Sequence, residues 1–88
     1  MFELVTPERL VLREELDAVS IPTQDGEITV LPNHVALVAN VKAGVMHLVR
    51  GNEEEDVAVS GGVVQIGEGG HVRVLAETAE REIGRAHV

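Results

Sequence analysis

Asp25, Glu27 and His34 lie in one short stretch, two carboxylates followed by an imidazole. These residue types serve general acid–base chemistry, and the same three are donors for a divalent metal. A hydrolase also needs a nucleophile, a base and an orienting group in mutual contact, and the sequence specifies none. Asp25 is more simply a turn former, Glu27 an exposed strand residue and His34 part of a docking loop. His34, His47, His71 and His87 are scattered without ligand spacing, and cysteine is absent, so no metal site is expected. Gly61-Gly62 and the GEGG stretch at residues 67–70 invite a phosphate-loop reading. Neither has the GxxxxGK[ST] arrangement or a following helix, so a bulge and a turn are expected, and no cofactor. The acid run Glu53-Glu54-Glu55-Asp56 is expected to be a solvated hairpin end.

Residues of these kinds need a scaffold, and the composition limits what it is made of. The chain has 88 residues, the size of one small domain, with 44% hydrophobic residues but only one aromatic, Phe2. Its core must therefore be aliphatic, and no disulfide reinforces it. The formal charge is −8, from 15 acids against 7 bases. That opposes phosphate-backbone binding, and the missing aromatics oppose base stacking, so nucleic acid is not an expected partner. No apolar run approaches the roughly 20 residues of a membrane helix. The N-terminal MFELVTPER lacks the basic and apolar regions of a signal peptide. The expected location is cytoplasmic, docked to something larger.

Turn signals recur about every 8–12 residues, the spacing of an all-β sandwich or barrel. Phe2 to Val5 forms a strand closed by Thr6-Pro7. Residues 10–16 fit a strand or a helix; the β-branched residues that follow favour a strand, ended by Pro22. Thr23-Gln24-Asp25-Gly26 is a hairpin turn, since Asp-Gly supplies positive φ angles. Ile28 and Val30 alternate with Glu27 and Thr29, Pro32-Asn33-His34 breaks the run, and residues 35–39 resume it. Residues 45–50 form a strand with Met46 and Leu48 on one face and Val45, His47 and Val49 on the other. One face suits core and the other a partner. Strands at residues 57–59 and 63–66 flank the glycine pair, which marks a bulge or a close backbone approach. A last strand covers residues 72–77. Thr78 is a helix N-cap candidate, so residues 79–88 are expected to be a tail or a frayed helical turn after a domain at residues 1–78.

Thr6-Pro7-Glu8-Arg9, GEITVLPNH at residues 26–34, VSGGVV at 59–64 and VRVLAETAERE at 72–82 occur in one order. Together they resemble the epsilon subunit of the F-type ATP synthase, in its N-terminal β-sandwich domain. The resemblance implies a sandwich of two antiparallel sheets with no active site of its own. It implies a central-stalk rotor part that binds the gamma subunit and faces the c ring, coupling proton flow to ATP synthesis. By the same resemblance Asp25, Gly26, Glu27, Pro32, Asn33 and His34 form the c-ring-facing loop region. The family pattern more often has Gly where Asn33 stands, and Asn also tolerates left-handed angles. A typical member continues into a helical hairpin that restrains ATP hydrolysis; this sequence stops at Val88, so a short form without that restraint is expected. Such a subunit would be peripheral to the membrane, on the cytoplasmic side, through its complex. The rival from another class is a free-standing β-sandwich adaptor or ligand-binding module, which would show a concave pocket with convergent polar groups.

Overall fold

Apolar residues at every second position make strands, and ten follow one another in the computed structural model, which describes residues 1–32 and 36–81. They are β1 (Phe2–Val5), β2 (Leu10–Glu14), β3 (Ala18–Thr23), β4 (Gly26–Val30), β5 (Leu37–Val41), β6 (Gly44–Arg50), β7 (Glu53–Val59), β8 (Gly62–Ile66), β9 (Val72–Ala76) and β10 (Ala79–Arg81). One hydrogen-bonded ladder runs β10-β7-β6-β3-β5-β8-β9-β1-β2, and β4 pairs with β3. The ladder turns a corner where β3 meets β5 at the single pair Thr23–Val41. On either side lie the two layers of a sandwich, β4-β3-β6-β7-β10 and β5-β8-β9-β1-β2. The expected all-β sandwich is what forms. Its pairings are antiparallel except for β1 with β9, which run parallel, in register from Phe2–Val72 to Val5–Leu75.

The alternation places one set of side chains between the layers. Leu12, Leu4, Val74 and Val64 form a buried row across β2, β1, β9 and β8. Val19, Ile21, Met46, Leu48, Val57 and Val59 face them from the other layer. At about 25 cal/mol per Å² of buried apolar surface, such aliphatic packing is the main stabilising term.

Three local features depart from the sequence expectation. Pro22 does not end its strand. It lies between Ser20, the last β3 residue paired with β6, and Thr23, the residue paired with β5, where no ladder N–H is missed. The acid run is not a hairpin end either. Only Gly51 and Asn52 separate Arg50 from Glu53, and the four acids form the first half of β7. Asp17 secures this turn, its carboxylate accepting from the Gly51 N–H at 2.6 Å. Residues 79–81 form a strand on the edge of β7 rather than a turn of helix, with Ala79 opposite Val59 and Arg81 opposite Val57. Residues 82–88 lie outside the described residues. The glycine pair, as expected, makes a close backbone approach: a Cβ on Gly62 would stand 1.9 Å from the Leu75 carbonyl oxygen.

Candidate docking surfaces

The register that buries one set of side chains turns the alternate set outward. On the β2-β1-β9-β8-β5 layer, Leu10, Val5, Leu75 and Val63 stand opposite one another in a row. Leu10 is 51% exposed and Leu75 40%. Beside this row lies an apolar groove of about 340 Å³, bounded by Val5, Pro7, Leu75 and Glu77. A contiguous apolar strip on so small a domain marks a contact surface rather than chance exposure.

Two residues along the same strands runs a charged row, Arg13–Glu3–Arg73, followed by Gln65 and Val38. Glu3 is on β1 between both arginines, its side chain only 12% exposed. Its carboxylate accepts from Arg73 Nε at 3.0 Å, is 3.3 Å from His71 Nε2, and its second oxygen is 3.2 Å from Arg13 Nε. The Arg73 hydrogen bond above all, then His71 and the charges of Arg73 and Arg13, holds this carboxyl below the usual glutamate range, against the effect of burial.

The outer face of the other layer is mostly polar, with Val45 on β6 51% exposed. His47 on β6 is flanked by Asp56, 2.6 Å from Nδ1, and by Glu54, 3.0 Å from Nε2. The Asp56 hydrogen bond, more than the Glu54 contact, raises the imidazole pKa above its ordinary 6.5. Ser20 lies directly across from His47 and hydrogen-bonds Thr29 at 3.3 Å. This Asp–His–Ser row is no catalytic triad, because both ring nitrogens face carboxylates and none activates the hydroxyl.

At one end of the sandwich, charged residues take over the inward positions. Arg50 continues the Met46–Leu48 face and Glu55 the Val59–Val57 face. Glu55 binds Arg81 through two hydrogen bonds, to Nε and to Nη2, the latter at 2.9 Å, and reaches Arg50 Nη2 at 3.3 Å. Arg50 Nε faces the Glu14 carboxylate on β2. The network ties β10, β7, β6 and β2 together. Arg81 is the main reason the Glu55 carboxyl is held low, with Arg50 adding to it.

The sequence-predicted site residues are not one cluster. Asp25, Gly26 and Glu27 stand at the β3–β4 hairpin tip. There the Asp25 N–H donates to Thr23 Oγ1 at 3.3 Å, the Thr23 hydroxyl donates to the Gly26 carbonyl, and Gly26 has φ +114°. The neighbouring Gln24 N–H donates to the Asn40 carbonyl at 3.0 Å, anchoring the tip to β5. Pro32 lies past the other end of β4, beside Met1, Leu16, Leu31 and Gly70. Four residue steps, roughly 13 Å at about 3.3 Å each, separate Gly26 from Val30. Asn33 and His34 lie outside the described residues. Sequence reasoning passed over Glu3, Arg13 and Arg73. Their signal was a charged residue within each of the largely apolar strands FELV, LVLRE and VRVLA, but only the pairing of β1 with β2 and β9 brings the charges together.

No helix among the described residues is long and apolar enough to cross a membrane. Residues 1–82 match the family described as ATP synthase, Delta/Epsilon chain, beta-sandwich domain. The chain belongs to that family. The ATP synthase epsilon chain of Chelativorans sp. is 47% identical over 88 residues, spanning 97% of this chain and 64% of the relative. The ATP synthase epsilon chain of Desulforamulus reducens is 43% identical over 79 residues, 90% of this chain and 59% of the relative. The chain thus spans about three fifths of the length of these epsilon chains. Its fold is also that of a chain in the Euglena gracilis mitochondrial ATP synthase OSCP/F1/c-ring structure, with a TM-score of 0.87, 24% identity, and coverage of 98% of this chain and 55% of that one. A chain of the Tetrahymena thermophila mitochondrial ATP synthase central stalk and c-ring structure matches with a TM-score of 0.77 at 14% identity, over 89% of this chain and 63% of that one. The two outer faces of this ATP synthase delta/epsilon β-sandwich differ: one carries the Leu10–Val5–Leu75–Val63 row with Arg13 and Arg73, the other His47, Glu54 and Asp56 with the exposed Val45.

Proposed function

We propose that this chain is a non-catalytic rotor subunit of an F-type ATP synthase. It docks on the gamma subunit and against the c ring, on the cytoplasmic side of the membrane, and couples proton flow to ATP synthesis. The observation that carries this reading is the exposed apolar strip Leu10–Val5–Leu75–Val63 on a chain of this family. The strip is the gamma-facing surface in this reading, since the opposite face sets the exposed Val45 beside His47, Glu54 and Asp56 rather than in an apolar row. The c ring falls to β4, which pairs with β3 alone among the described residues. Asp25, Gly26 and Glu27 stand at one end of this strand and the segment Pro32, Asn33, His34 follows its other end. The exposed Glu27 is suited to a basic residue in a polar loop of the ring.

The test is titration of the chain with the gamma subunit of the same organism, after co-purification. A stable one-to-one complex is expected, and Leu75→Glu should abolish it without unfolding the sandwich. No binding at micromolar concentrations would overturn the rotor reading.

A further inference from the structure

We propose that Arg13 and Arg73 form a prearranged clasp for carboxylates of the docking partner, bordering the apolar strip. The inference rests on the gamma-docking reading and adds the chemistry that selects the partner surface. Each guanidinium approaches Glu3 most closely through its Nε, Arg73 at 3.0 Å and Arg13 at 3.2 Å. Among the described residues, the terminal nitrogens of both arginines make no hydrogen bond, and the side chains are 58% and 48% exposed for Arg13 and Arg73. Glu3 is thus an internal counter-ion that fixes two stems and leaves the forked ends outward. Such a fork takes a carboxylate by paired N–H···O bonds, and a stem already held loses less entropy on binding.

The placement makes this a feature of the surface rather than of two stray arginines. Glu3 occupies the middle strand of three, so the arginine backbones are about 10 Å apart at roughly 4.8 Å per strand. The strip of Val5 and Leu75 begins two residues farther along the same strands, about 7 Å away. In a chain of charge −8, two other described cations, Arg50 and Arg81, are absorbed by Glu14 and Glu55 inside the sandwich end. Arg13 and Arg73 share the single carboxylate of Glu3 and so leave a net positive charge beside the apolar strip, whose far end Glu77 borders, while Glu54, Asp56 and Glu80 lie on the polar layer. The partner surface that fits is an apolar strip edged with carboxylates. Such complementarity orients docking and raises the association rate.

The experiment is a titration of full-length wild type, Arg73→Gln, Arg13→Gln and the double variant against the purified gamma subunit, at low and moderate salt, with circular dichroism as the fold check. Val45→Gln on the opposite face is the control. The double variant should bind at least tenfold more weakly, lose most of the salt dependence of the wild type, and associate more slowly. Val45→Gln should stay within twofold. Double-variant affinity within twofold of wild type, with Leu75→Glu still abolishing binding, overturns the clasp and leaves the docking reading standing. Absence of wild-type binding overturns the docking reading itself. If the double variant loses structure, the single variants and the wild-type salt dependence decide: salt-independent binding overturns the clasp.

Discussion

His47 shows how a single side chain is tuned by its register. Pairing of β6 with β7 places Asp56 directly opposite, and Glu54 lies one diagonal away. With its folded pKa raised above 6.5, the imidazolium contributes stability that is fully present below the unfolded pKa and is lost as pH rises through the folded pKa. The expected outcome is that His47→Gln is less stable than wild type near pH 6 and that the gap closes as pH rises well above 6.5. Urea midpoints measured for both proteins from pH 5.5 to 8.5 check it; a gap independent of pH would contradict it. Glu3 and Glu55 work in the opposite sense. Their pKa values are lowered from 4.5, so their contribution is present above 4.5 and lost as acid titrates them.

Strand β10 is the element whose existence depends most on side chains. Among the described residues it has three, Ala79–Arg81, and pairs on one side only. An edge strand this short has little ladder to hold it, and the two hydrogen bonds from Arg81 to Glu55 supply the remainder. Arg81→Ala should destabilise the domain by about 1–2 kcal/mol, since a partly buried ion pair loses one partner. Amide exchange of residues 79–81 should accelerate well beyond that of β6 and β7. Unchanged protection of β10 would show that backbone pairing alone holds it. The helix expected after Thr78 had a cap residue and nearby acids in its favour. The open edge of β7 and the Glu55 carboxylate, both made by tertiary structure, outweighed those weak local preferences.

For the whole molecule, the two-layer fold separates partner surfaces that the chain interleaves. Leu10, Leu75, Arg13 and Arg73 lie on one outer face and His47, Glu54 and Asp56 on the other, and the β3–β4 hairpin tip is tied to β5 at the corner between the layers. A contact at the hairpin tip should therefore be separable from one on the β1–β9 face. Glu27→Lys is expected to leave gamma affinity within twofold while lowering ATP-driven proton pumping of the assembled complex by at least twofold. Pumping equal to wild type would remove Glu27 from the proposed c-ring contact.

Much was determined by local sequence. Period-two alternation in LVLRE, GVMHLVR and VRVLA specified strands, Asp25-Gly26 specified the hairpin, and the Gly61-Gly62 pair announced a close approach that Gly62 makes against Leu75. These features depend on φ angles and neighbouring side chains, which a chain carries with it. Tertiary structure alone decided that β1 runs parallel to β9, that Pro22 falls in a gap between two ladder partners, and that Glu55 and Arg50 close one end of the core. It also decided that Glu3 lies between Arg13 and Arg73, although Arg73 is 70 residues away along the chain. Long-range pairing has no local signature: a strand's alternation says which residues share a face, whereas its neighbours depend on how the whole ladder closes around the core.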